Sequence, residues 1–398
     1  MDKALRARLE KNIGKYSWFK IFTKRVYLPL IAVQLVTVGG VTVRQLAIIA
    51  IATSLVQVIL QLPTGYVADR YGNRTALIIG SLLAALSPLF YIFSPNFIGG
   101  LLAALLFFSG FSFQSGAVEA FMHDTLVALG KEKEYSKVMG RSQSYGLIGN
   151  VILLVIVPAT YTINKTLPFI IGFISLLIML WLSISFTYPE QETHTNKKHP
   201  LSAAKLIVTP QNISLFIFAG FLAGVSNKAA EYRELLYKDI GVAVALFGLL
   251  LALGSIFGAI LGRYIHLLDK LKPSTFYFLD LTLMSASIMI VGISKSPIVA
   301  VTGFTIFAGY TRVRMITFQS NLLRIISHSY KATLLSALNF FSIIGEIAAI
   351  TLLARLIGFK GYLVGYMLYG FAVFGIAMVL WTIMLATNHY TMSNRSTQ

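Results

Sequence analysis

Glu346 sits inside FFSIIGEIAAITLL, an apolar run with no basic residue before Arg355. An ionisable group at the centre of such a run is expensive to keep charged and is commonly functional. It stands at about the twelfth residue of the apolar block 334–356, roughly 18 Å from its inner end at 1.5 Å per residue. A protonated or exchanging carboxyl, able to carry a proton, is expected there. The alternative is a structural carboxyl hydrogen-bonded to a neighbouring helix.

Arg312 and Arg314 fall in another apolar run, and Glu119, His123 and Asp124 fall at the end of a third. Opposite charges at matching depth would pair and close one side of a cavity; alternatively the arginines bind an anionic substrate. A third reading is snorkelling of both sets to the membrane interface. Glu119 and His123 are four apart, on one helical face, but no second ligand cluster accompanies them, so no metal is expected. Asp280 and Gln34, with Gln57 and Gln61, are lesser substrate or coupling candidates. The stretch Lys228 to Lys238 carries mixed charge, and Glu234 and Lys238 suit an i,i+4 pair. It reads as a solvated rim with some gating character.

Other chemistries are missing. The chain has no cysteine, which removes thiol nucleophiles and thiolate metal sites. It has no G-x-x-x-x-G-K-[ST], no H-E-x-x-H and no G-x-S-x-G. No convergent catalytic set is visible. No enzyme activity and no cofactor are expected, and an ion gradient or facilitated diffusion remains.

The elements that position these groups follow from composition. Of 398 residues 56% are hydrophobic and only 12% charged, with mean hydropathy +0.75. Soluble domains average roughly 25% charged residues. Apolar blocks near ~20 residues long, each enough to cross the hydrocarbon, cover 22–41, 44–64, 75–94, 97–119, 138–160, 167–188, 211–230, 243–263, 274–294, 297–317, 334–356 and 361–386. The expected fold class is therefore all-α: a polytopic membrane protein of twelve transmembrane helices in two six-helix pseudo-symmetric halves.

Residues 1–21 read as an amphipathic N-terminus, with Leu5, Leu9, Ile13 and Tyr16 at helical spacing, lying on the inner membrane surface. Residues 22–188 and 211–386 form the halves, 189–210 the central loop, and 387–398 the tail. A weak internal echo, YSKVMGRSQSY against YKATLLSALNF, supports a duplication. Glycines at 254, 258 and 262, and Ser109, Gly110, Ser112, Ser115 and Gly116, mark close helix contacts.

The net charge of +18 is mainly an orientation signal. The side holding both termini carries 25 of the 33 Lys and Arg, and the other side 8. The positive-inside rule then makes both termini cytoplasmic, and nucleic-acid binding has little left to explain. A prokaryotic cell membrane is the expected location, with the lipid bilayer, a small-molecule substrate and protons as partners and a monomer as the working unit.

Between the second and third spans stands Gly65-Tyr66-Val67-Ala68-Asp69-Arg70-Tyr71-Gly72-Asn73-Arg74. It resembles the G-x-x-x-D-R-x-G-x-R signature loop of the major facilitator superfamily, and it falls on the side that the charge count makes cytoplasmic. Physically, Gly65 suits close helix packing and Gly72 a tight turn, while Arg70 and Arg74 call for acidic partners. The stretch SGAVEAFMHDTL (115–126) resembles a largely uncharacterised prokaryotic branch of that superfamily.

The resemblance implies secondary transport by alternating access, with Asp69 organising a cytoplasmic seam beside Arg70, Arg74, Asp124 and Arg141. The loop GRYIHLLDKLKPS lacks the D-R-x-G core, and Val157-Pro158 lacks the glycine cluster of drug/proton antiporters. Proton-linked efflux of a small organic molecule is the leading expectation. Uptake of an organic anion is the rival within transport; a scaffold or membrane enzyme is the rival outside it.

Overall fold

The computed structural model describes residues 3–188, 210–264, 271, 273–325 and 331–395. Residues 189–209 of the expected central loop therefore lie outside the described residues, as do Tyr330 and most of the loop between the eighth and ninth spans, while Pro210 already opens a helix. The described chain is helical, and the helices form twelve membrane spans in two halves of six. Eight described helices are long and apolar enough to cross on their own. One of these, Leu338–Thr387, is two spans broken at Gly361, where φ is 77° and ψ 177°.

The chain divides into a unit of Met1–Asn196 with Val244–Leu249, and a unit of Lys197–Ala243 with Leu250–Gln398. In the first, α1 (Lys3–Phe22) is followed by α2 (Ile31–Thr37), α3 (Val43–Phe93), α4 (Phe97–Gln114), α5 (Ala117–Ala128), α6 (Tyr135–Ala159) and α7 (Leu167–Ser185). Local chemistry sets the ends. Thr42 and Gln45 form a reciprocal capping box at the start of α3, and the Asn96 side chain accepts from the Gly99 N–H at the start of α4. Gly72, with φ 85° and ψ 155°, breaks α3 into the second and third spans. That backbone is open to glycine and strained for other residues.

The expected surface helix over 1–21 is packed structure instead. Leu9, Asn12, Tyr16 and Phe19 of α1 are buried. Asn12 Nδ2 donates to the Thr187 carbonyl at 2.7 Å, and Asn12 Oδ1 accepts from the Thr187 N–H at 3.1 Å. The reason is fit: Lys20 and Ile21 lie against Gly146 and Gly149 of α6, so the helix spends its apolar face on protein.

In the second unit, α8 (Pro210–Lys228) bends by 46° into α9 (Arg233–Asp239). Then come α10 (Phe247–Gly262), α11 (Pro273–Ile293), α12 (Pro297–Ile325) and α13 (Lys331–Arg395). Prolines stand at the first positions of α8, α11 and α12, where no intrahelical N–H is needed.

α8 and α13 pack backbone to backbone. A Cβ on Gly224 would meet the Gly345 carbonyl carbon at 2.1 Å, the close approach that small residues permit in lipid. The expected glycine row in α10 holds in part. Cβ atoms on Gly254 and Gly258 would meet Ala308 and Arg312 at 2.8 and 2.9 Å, but one on Gly262 would meet nothing within 4 Å. In the fourth span Gly110 lies against Gly80. Gly116 takes φ 82° and separates α4 from α5.

Candidate functional site

The break between α8 and α9 gathers charge. It contains no proline or glycine. Its turn is closed by the Ala229 N–H donating to the Val225 carbonyl and the Glu231 N–H to the Lys228 carbonyl, and it is anchored by fully buried Tyr232. On one side, Lys228 Nζ lies 3.7 Å from Glu346 Oε2, and Asn227 Nδ2 donates to Glu346 Oε1 at 2.7 Å. The two charged side chains are only 11% and 13% exposed. Glu346 is therefore not a lone carboxyl among apolar groups. It meets an ammonium and a carboxamide from the seventh span, 118 and 119 residues away in sequence.

On the other side, Arg233 pairs with Glu234, Nε to Oε1 at 3.2 Å, both nearly buried. Arg233 also lies over the Phe304 ring at 5.9 Å. The solvated rim expected for 228–238 is corrected here: Lys228, Glu234 and Tyr237 are buried. Glu234 takes Arg233 rather than Lys238 as its partner. A run of mixed charge looks water-facing by composition, and tertiary pairing is what internalises it.

Asp280 and Arg314 make a second buried set. Arg314 Nε and Nη2 donate to the two Asp280 oxygens at 2.7 and 2.6 Å, with side chains 1% and 0% exposed. Tyr310 Oη donates to Asp280 Oδ1 at 2.8 Å. A bidentate guanidinium–carboxylate pair is among the strongest polar contacts available. It ties α11 to α12 rather than offering either group to a ligand. Arg312 differs: it is exposed, and its Nη2 donates to Ser255 Oγ at 2.9 Å.

In the first unit Glu119 is met by Lys20 Nζ at 3.2 Å. Glu119 and Arg314 thus have partners inside their own halves. For Glu119 the reason lies in α1, whose packed position brings Lys20 to it. Gln34 is buried, and its Oε1 accepts from Tyr161 Oη at 3.0 Å. Gln57 donates to the Thr53 carbonyl at 3.2 Å, and Gln61 is exposed. His123 lies 3.7 Å from Asp124 and 3.9 Å from Glu132, edge-on to Tyr135.

The signature segment is brought only partly together. Asn73 Nδ2 donates to Asp124 Oδ2 at 3.5 Å. Arg74 lies over the Tyr188 ring at 5.5 Å. Arg70 donates to Tyr66 Oη and lies over the Tyr66 and Tyr71 rings at 5.8 and 5.7 Å. Arg141 donates from Nε and Nη2 to Tyr145 Oη at 3.1 and 3.0 Å. Arg70, Arg74 and Arg141 lie against tyrosine rings and hydroxyls, since a guanidinium stacks well on an aromatic face. The Asp69 side chain lies outside the described residues. Gly65 is exposed, and a Cβ there would meet nothing within 4 Å, so its expected close packing is not found.

Twelve spans in two halves, with charges buried as pairs between helices, define a polytopic carrier fold rather than a catalytic one. Residues 17–350 match the sequence profile of the Major Facilitator Superfamily, and the chain belongs to that family of membrane transporters.

Among its relatives are two from Bacillus subtilis (strain 168). The chain is 22% identical over 220 residues to "Uncharacterized MFS-type transporter YxaM", covering 53% of this chain and 54% of that one. It is 29% identical over 210 residues to "Uncharacterized MFS-type transporter YdgK", covering 49% and 50%. The matches thus span about half the length of these curated relatives.

Among solved structures, the nucleoside transporter NupG superposes with TM-score 0.78 at 13% identity, over 95% of this chain and 98% of that one. A bacterial homolog of the human lysosomal transporter Spinster, inward-facing and occupied, gives 0.70 at 14%, over 98% of each. At these identities the likeness is one of fold.

Proposed function

We propose that the chain is a secondary transporter that moves a small organic molecule by alternating access, coupled to protons and directed outward. The observation that carries this reading is the Lys228–Glu346 pair beside the break in the seventh span. Discontinuous helices with ionisable groups at the break are where transporters bind substrate and coupling ions. Glu346 has a partner it can exchange: a proton on the carboxylate and the Lys228 ammonium are alternatives for the same charge. Loss of one partner for the other would change how tightly α8 and α13 hold together, and so link ion binding to opening. Family membership supports transport as the activity.

The test uses purified protein in sealed vesicles. Compounds that raise its thermal stability in detergent, from a broad panel of metabolites and drugs, are offered to vesicles holding a pH-sensitive dye. Substrate-dependent proton movement, and accumulation that follows an imposed pH gradient, are expected. Thermal shifts with no proton movement for any of those compounds would remove the coupling.

Uptake of an organic anion is the second reading, and Arg312 favours it. This cation is exposed and held by a serine hydroxyl, whereas Arg314 is spent on Asp280. The same vesicles decide direction by which face the compound must be added to.

A further inference from the structure

Unit 1 contains a cavity of about 700 Å³ between α1 and α6. Its walls use none of the groups at the α8–α9 break. They divide by chemistry along α6. Lys137 and Arg141, one helical turn apart, stand at one end; Ile148 lies at the other, with Ile21 and Trp18 of α1 on the facing wall. Trp18 is 58% exposed and stacked on Phe22. From residue 137 to 148 the wall runs ~16 Å at 1.5 Å per residue. Ser17 and Ser142 are hydrogen-bonded at 3.0 Å and tie the two helices in between. The bonds from Arg141 to Tyr145 Oη hold the guanidinium against the wall. Glu134 also lines the cavity, so its formal charge is that of two cations and one carboxylate.

We propose that this cavity binds an amphipathic organic anion. One carboxylate or phosphate lies at Lys137 and Arg141, and an apolar body runs along Ile148, Ile21 and Trp18. A single negative charge offsets the excess cation, and a guanidinium beside an ammonium is a strong anion partner. The volume is that of a site for one drug-sized molecule (~300–1,000 Å³), which favours a free single-chain or ring anion over a two-chain phospholipid of the bilayer. The site concerns binding at equilibrium and stands whether or not the chain transports.

The test reads Trp18 directly. The chain has three tryptophans, so Trp181→Phe with Trp381→Phe leaves Trp18 as the reporter, in nanodiscs of zwitterionic lipid. A brominated long-chain fatty acid should quench it saturably. Lys137→Gln with Arg141→Gln should weaken that quenching tenfold or more, and Arg141→Lys should recover part of it. The brominated methyl ester and inorganic phosphate should not saturate. Equal, non-saturating quenching by acid and ester, unchanged in the variants, would mean partition into the bilayer and would overturn the site. So would saturable quenching by a brominated phosphatidylglycerol with none by the free acid. If the reporter background does not fold, thermal stability of the unaltered chain serves: the acid should raise it and the ester should not, and equal effects would overturn the proposal.

Discussion

At the scale of single residues, two of the buried charge pairs of the second unit, Asp280–Arg314 and Lys228–Glu346, do different work. Asp280 and Arg314 are sealed from water and satisfy each other in bidentate geometry. Removing one partner of such a pair leaves an uncompensated buried charge, typically costing about 3–5 kcal/mol. Arg314→Leu should therefore lower the melting temperature of the purified protein sharply or prevent its isolation. Adding Asp280→Asn should restore much of the loss, because it removes the orphaned carboxylate. If the single variant melts like the unaltered protein, the pair is not a staple.

Glu346 is less enclosed and has two donors. Glu346→Gln keeps a hydrogen-bonding group but cannot exchange a proton. It should permit exchange of a substrate across vesicles at equal concentrations and abolish accumulation driven by a pH gradient. Accumulation at the unaltered level would make Glu346 structural. Glu346 was legible in the sequence because a lone acid among Ile, Ala and Phe is conspicuous. Lys228 was not, because it sits in a charged stretch that reads as solvated. Asp280 and Arg314 were legible singly, but nothing in a linear sequence says that they meet.

At the scale of elements, most span positions were readable because hydropathy is local, and twenty apolar residues announce a crossing wherever they fall; the expected first span, 22–41, is instead helical over Leu28–Thr37. The turn Ser94-Pro95-Asn96 and the start at Pro297 agree with the helix limits at Phe93, Phe97, Ile293 and Pro297. Three features were not readable. The break after Lys228 has no proline or glycine to mark it. The packing of α1 depends on Asn12 meeting Thr187, a contact across 175 residues. The tyrosines that receive Arg70, Arg74 and Arg141 were hidden because tyrosine also belongs to ordinary interface belts. Glycine contacts give an element-scale test. Gly224→Leu should separate α8 from α13 and abolish folded protein on size-exclusion chromatography, since even a Cβ meets backbone at 2.1 Å. Gly262→Ala, with nothing within 4 Å, should leave the elution profile unchanged. Equal behaviour of the two variants would undo the packing argument.

At the scale of the whole molecule, orientation rests on charge. With 25 of 33 basic residues on the side of the termini, reporters fused after Gln398 and within 196–199 should both report the cytoplasm. An external signal from the C-terminal fusion would invert the arrangement and, with it, the side on which the signature segment works.

Gly72 has a consequence for assembly. One residue of non-helical backbone joins the second span to the third, so the connection has no slack. Neither helix can slide far along its axis without dragging the other. The joint thereby fixes the vertical offset of the two helices. Lengthening this joint by a few flexible residues would leave every span intact and yet remove the gauge that sets their depth.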